Sequence, residues 1–195
     1  MGENGSGKST LLEALAALAG FTTSGGGAWA GADASREARD SEALAARLRA
    51  SWLPKVKRSW FLKAQSFASV SGQTVKDCLA YSHSEGFAEV VMDRMTRQGV
   101  FFLDEPEAAL SPRRQAGLLA FLADIQQSGS AQVVMATHSP ILMSVLGATL
   151  LHIGYRGIDR VDLRETDLFR LWAAFAADPD GFVAAALFGE IQTLL

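Results

Sequence analysis

The stretch Gly2-Glu3-Asn4-Gly5-Ser6-Gly7-Lys8-Ser9-Thr10 fits the phosphate-binding pattern G-x-x-x-x-G-K-[ST] at every specified position. Glycine tolerates backbone angles that a Cβ forbids, so successive N–H groups of such a loop can turn inward on phosphate oxygens. Lys8 supplies a point charge for the β and γ phosphates, and Ser9 a hydroxyl for Mg²⁺. A helix opening at about Gly7 directs its positive end at the same anion. Residues 2–10 are thus expected to cradle a nucleotide.

Four other places carry residue types that such a loop needs as partners. Asp104-Glu105 closes the apolar run Val100-Phe101-Phe102-Leu103, which reads as a buried parallel strand. Ligands of open parallel sheets bind at the carboxyl ends of strands, so both acids should face the loop. Asp104 is then suited to hold Mg²⁺ through its water shell, and Glu105 to polarise the water that attacks the γ-phosphate. The bland reading is two acids opening a surface turn. His138 leaves a third apolar run, 131–137, which reads as another buried strand ending on the same edge, where its imidazole could hydrogen-bond the γ-phosphate or play an ordinary structural part. Gln65 stands near the end of the aromatic run that starts at Trp60, and a glutamine there can reach a metal-bound water. Ser82-His83-Ser84-Glu85-Gly86 is a small polar turn ahead of a helical stretch, a second potential anion site.

The elements that must position these residues follow from periodicity and punctuation. Residues 7–19 read as the helix behind the loop, with Leu11, Leu12, Leu15 and Leu18 on one face. Residues 22–31 are a glycine-rich surface loop, and 35–50 a partly exposed helix. A short helix at 74–81 and another at 87–97, with Phe87, Val90, Val91 and Met95 on one face, lead to the strand that ends in Asp104. Ser111-Pro112 and Ser139-Pro140 repeat one device, a capping serine followed by proline at the first helical position. The first opens a helix to about Gln127. Residues 149–153 and 158–163 fit a hairpin at the edge of the sheet. Two aromatic-rich helices, 166–177 and one after Asp178-Pro179, close the chain, and their apolar surface is expected to be buried.

At 195 residues and 49% hydrophobic content, the chain reads as one domain, 1–195, with material for a single core. No apolar run reaches the ~18 residues of a membrane span, and nothing resembles a signal peptide, so a cytoplasmic location is the expectation. Cys78 is the only cysteine, which excludes an intrachain disulfide or a cysteine zinc cluster. A net charge of -3 gives no overall field favouring nucleic acid. The stretch from Trp52 to Trp60 sets Lys55, Lys57 and Arg58 between tryptophans, a pattern that could stack on and neutralise nucleic acid or form a solvated turn beside a buried tryptophan. A phosphate loop normally follows a buried strand, and Met1 directly precedes Gly2. The expectation is an upstream start, a truncated product, or a loop held from one side.

Taken in order, these motifs resemble the ATP-binding-cassette type of P-loop ATPase. The run DEPEAALSP followed by ATHSPIL is most similar to small soluble bacterial AAA-family or ABC-like ATPases, related to the heads of recombination and chromosome-maintenance ATPases. The resemblance implies a Walker A loop at 2–10, a Q-loop at Gln65, a signature segment at 82–86, a Walker B strand at 100–105, a D-loop at 109–112 and an H-loop at His138. The signature position departs from the transporter-like L-S-G-G-Q. What the resemblance implies is an α/β P-loop domain with a mainly parallel sheet flanked by helices, and the sequence departs from it in the first strand, which is expected to be missing ahead of Gly2. ATP and Mg²⁺ are its cofactors, with catalytic parts for Lys8, Gln65, Glu105 and His138 and metal contacts for Ser9, Gln65 and Asp104. It also implies a head-to-tail homodimer with the nucleotide at the interface. Alternatives are a transporter ATPase subunit, a DNA-repair or defence ATPase with DNA as partner, and a non-catalytic nucleotide-binding module.

Overall fold

A computed structural model describes residues 1–3, 5–20, 36–51, 59–64, 91–93, 95 and 98–195. Three apolar runs form a parallel sheet in the order β1-β2-β3, with β1 at Ser59–Lys63, β2 at Val100–Asp104 and β3 at Gln132–Ala136. The register sets Lys63 opposite Asp104 and Asp104 opposite Ala136, so the three carboxyl ends lie level. The backbone N–H of Glu105 extends the ladder by one bond, to the Ala136 carbonyl at 2.9 Å.

Strand alternation divides the core into two layers. Trp60, Leu62, Phe101 and Leu103 pack with Leu118, Leu122 and Ile125 of the long helix that follows β2. Phe61, Val100, Phe102 and Ala136 pack on the other face with Leu12 and Ala16 of α1, Lys8–Leu18. A central strand covered on both faces has no reason to alternate with polar residues, which is why VFFL is continuous. Each fully buried phenylalanine contributes about 1.5–3 kcal/mol.

The long helix, α3 (Pro112–Ser128), and the short α4 (Pro140–Met143) start as the sequence indicates. Ser111 Oγ accepts from the Arg114 N–H at 3.4 Å, and Ser139 Oγ from the Leu142 N–H at 3.2 Å. Such caps stabilise a helix by about 1 kcal/mol each. Gly129, left-handed at φ 61°, ends α3.

Four expectations are corrected. On α1 the buried residues are Lys8, Leu12, Glu13, Ala14 and Ala16, whereas Leu11, Leu15 and Leu18 are half-buried. α2 (Arg36–Ala45) packs against α1, so a face of small residues is enclosed as well, and Glu13 is drawn in by its ion pair with Lys63. β3 is only half-buried over Val133–Met135. A cavity of about 550 Å³ lies beside it, lined by residues that include Leu15, Val134, Leu150 and Ile153. The hairpin, β4 (Leu151–Gly154) and β5 (Gly157–Arg160), forms its own two-stranded sheet rather than the edge of the first. Its turn is Tyr155-Arg156, because Gly154 pairs with Gly157.

The fourth correction concerns the C-terminal helices, α5 (Asp167–Ala177) and α6 (Pro179–Phe188). They form where expected, capped by Thr166 and Asp178, yet Trp172, Leu187 and Phe188 are 53%, 81% and 77% exposed. No residue of either helix is fully buried, and part of the aromatic surface is covered within the pair itself. Phe175 stands edge-on to Trp172 and to Phe182, with ring centroids 6.2 and 5.5 Å apart. Among the described residues no helix is long and apolar enough to cross a membrane.

Candidate functional site

Between Met1 and Lys8 the chain turns three times on glycines with positive φ: Gly2 at 145°, Gly5 at 78° and Gly7 at 88°. Gly7 is the N-cap residue of α1, so the loop delivers its amide groups to the positive end of that helix. Ser6 N–H closes the turn onto the Glu3 carbonyl at 3.1 Å. Lys8 is buried under the loop, and its Nζ donates to the Gly2 and Glu3 carbonyls at 2.8 and 2.9 Å. An ammonium so placed stands inside the curve that the pattern assigns to phosphate. Asn4 lies outside the described residues.

The amino end of the loop is held by the hairpin. The Met1 amino group donates to the Leu151 carbonyl at 2.7 Å, and the Ile153 N–H donates to the Met1 carbonyl at 2.9 Å. A Cβ on Gly2 would run into the Ile153 carbonyl oxygen and Ser6 Oγ, whereas a Cβ on Gly5 meets open space. Gly2→Ala is therefore expected to destabilise the chain by about 2–3 kcal/mol, through both collision and backbone strain. Gly5→Ala should cost only the left-handed conformation, about 1 kcal/mol. Denaturant midpoints of the two variants check the order.

Across from the loop, Ser9 Oγ donates to Asp104 Oδ1 at 3.1 Å, a contact spanning 95 positions. This joins the start of α1 to the end of β2. Asp104 is buried, and desolvation pushes its carboxyl up to about 6, opposed by the Ser9 hydrogen bond and by Lys63 and reinforced by Glu105 and Glu13. A buried carboxylate beside a hydroxyl is an all-oxygen donor set, and Mg²⁺ characteristically takes one or two carboxylates plus substrate phosphate oxygens and water. The donors present fit that ion, and no cluster of three or more histidine, cysteine or acidic side chains suited to a metal occurs among the described residues.

Glu105 is the one non-glycine residue with positive φ among the described residues, at φ 46° and ψ 51°. That conformation turns the chain out of β2, so adjacent acids need not point to opposite faces. Backbone strain of this kind costs about 1–3 kcal/mol and gathers at functional sites. His138, at the exit of β3, brings Nε2 to 3.8 Å from Glu105 Oε1. His138 Nε2 and Ser6 Oγ are both buried without a hydrogen-bond partner. Buried unpaired polar atoms are uncommon in folded proteins. Here one lies in the phosphate loop and the other beside the acid pair, as groups kept for a ligand would.

The structure thus brings together Gly2, Glu3, Gly5, Ser6, Gly7, Lys8, Ser9 and Thr10 with Asp104, Glu105 and His138 at one end of the sheet. Gln65 and Ser82, His83, Ser84, Glu85 and Gly86 lie outside the described residues, as do residues 52–58 and Cys78. Sequence reasoning missed Glu107. It also missed the Lys63–Glu13 pair beside Asp104, whose only sequence signal is one charge at the end of an apolar strand.

Residues 86–144 match a family model described as "AAA domain, putative AbiEii toxin, Type IV TA system". The match spans less than a third of the 195 residues and includes β2, α3, β3 and α4, but not the phosphate loop. It supports a P-loop ATPase family of AAA type for this part of the chain. No curated protein and no solved structure matches.

Proposed function

We propose that this chain binds ATP with Mg²⁺ and hydrolyses it to ADP and phosphate. The observation that carries the reading is the Ser9–Asp104 contact, which joins the hydroxyl of a phosphate loop to the acid of a buried strand at 3.1 Å. Residues 2–10 would cradle the phosphates, Lys8 neutralising the β and γ groups and the amides of the loop supplying directed donors. Ser9 and Asp104 would hold Mg²⁺, which when bound neutralises charge developing on the transferred phosphoryl group. Glu105 would orient the attacking water, and His138 would donate to the γ-phosphate. Gln65 is assigned to the metal-bound water by resemblance alone.

The finer proposal is a head-to-tail homodimer of the ATP-binding-cassette kind, with each nucleotide between the loop of one copy and the polar sequence 82–86 of the other. A second reading, an ATPase serving defence, is favoured by the family description that names a toxin–antitoxin system. Stimulation of hydrolysis by DNA would extend that reading to a nucleic-acid partner.

Lys8→Ala tests the binding half. Removing the buried charge should weaken ATP binding by at least about 10-fold, a loss of ~1.4 kcal/mol or more. Isothermal titration with Mg²⁺ present measures it. Unchanged affinity would take Lys8 out of the site.

A further inference from the structure

We propose that Glu107 is a positioning residue, whose carboxylate grips the backbone at His138 and so aims the imidazole at Glu105. The inference rests on the hydrolytic reading above and adds to it a residue that no motif assigns. Glu107 lies in the 3-10 turn Pro106–Ala109, directly after Glu105 and Pro106. Its side chain crosses to the exit of β3. Thr137 Oγ1 donates to Glu107 Oε2 at 2.7 Å, and the His138 N–H donates to Glu107 Oε1.

These two bonds fix more than two atoms. Thr137 spends its hydroxyl proton on Glu107, so the oxygen is turned to accept the Ser139 N–H, at 3.0 Å. Ser139 Oγ donates to Gln115 Oε1 at 2.6 Å, and Gln115 Nε2 donates to the Leu110 carbonyl at 3.0 Å. The turn after β2 and the turn after β3 are thereby stitched at two points, Glu107 and Gln115. The Gln115 stitch already closes the start of α3 onto the cap of α4. What Glu107 adds falls on residues 137 and 138, beside the ring. Carboxylate acceptors give shorter and stronger bonds than neutral ones, which suits a group that must hold a backbone still. Both Glu107 oxygens are occupied by Thr137 and His138, while His138 Nε2 is left without a hydrogen-bond partner, 3.8 Å from Glu105 Oε1. Glu107 therefore acts through His138 and does not contact the reacting phosphate.

Two readouts on the full chain test this. The first is the His138 amide proton, followed by NMR and hydrogen exchange in the wild type, Glu107→Gln and Glu107→Ala. Protection in the wild type that falls at least about tenfold in both variants is expected, because glutamine retains one acceptor where the carboxylate has two. The second is steady-state hydrolysis. Glu107→Ala should lower kcat by about tenfold with KM for ATP within about twofold, and Glu107→Gln should fall between. In a His138→Ala background the further loss on removing Glu107 should vanish. An equal loss in both backgrounds, or a His138 amide indifferent to Glu107→Gln, overturns the proposal. The exchange readout needs no turnover. A wild-type chain without hydrolysis would sink the ATPase reading, while a protected amide lost in Glu107→Gln would still support the grip on His138.

Discussion

Glu105→Gln is expected to hydrolyse ATP at least about 100-fold more slowly than the wild type while binding it with affinity within about threefold. The argument starts from the backbone. Residue 105 is left-handed, and glutamine has the shape of glutamate, so the substitution keeps the turn, its strain and the bond from N–H 105 to the Ala136 carbonyl. What it removes is a carboxylate able to accept a proton or orient water, at 3.8 Å from His138 Nε2. Loss of turnover without loss of binding or fold would place the effect in the chemical step. If nucleotide is the glue of a dimer, the variant should also accumulate as a dimer with ATP, visible by light scattering. Hydrolysis at the wild-type rate would remove Glu105 from its role.

Asp104→Asn should have two opposed effects of similar size. Burial raises the Asp104 carboxyl from 3.8 to about 6, so between those values the folded chain binds more protons than the unfolded chain. Stability therefore falls as pH rises through that window and is level above it, the sign expected for an acid whose folded pKa is raised. The burial penalty at pH 8 is about 2–3 kcal/mol. Asparagine removes the charge and keeps an acceptor for Ser9 Oγ, while Lys63 retains Glu13 as a partner. Without nucleotide, Asp104→Asn should be about 1–3 kcal/mol more stable than the wild type at pH 8, the gap closing by about pH 4. Denaturant melts across that range check the sign. The same variant should lose the stabilisation that Mg²⁺ and ATP give the wild type, which at 100-fold excess over Kd amounts to ~2.7 kcal/mol. A charge that weakens the empty fold would be offset by the cation it is proposed to bind. A variant with wild-type stability throughout would contradict the burial argument.

The parts of the molecule legible in its sequence are those set by local rules. The strand expected over 100–105 was legible to within one residue of the observed Val100–Asp104, because an apolar run between Gly99 and an acid pair is strand-like in length and composition. Ser111-Pro112 and Ser139-Pro140 were legible because capping is a matter of neighbouring residues. The acid pair and His138 could be set on one edge because parallel strands end together. Glu107 was not legible: its partners stand 30 and 31 positions away, and no period connects them. The buried face of α1 escaped because it follows from enclosure by α2 and from the Lys63–Glu13 pair, not from the leucine spacing. The open C-terminal aromatics escaped for the reverse reason, since apolar spacing shows that a face exists and not what covers it.

The most direct test of the central claim is a single-turnover experiment, with the chain in excess over γ-labelled ATP and with Mg²⁺ either supplied or chelated. The account predicts retained nucleotide and released phosphate with Mg²⁺, no release on chelation, and retained nucleotide without release in Glu105→Gln. Phosphate release that persists in Glu105→Gln or in the presence of chelator, or ATP that the wild-type chain fails to retain with Mg²⁺, would contradict it.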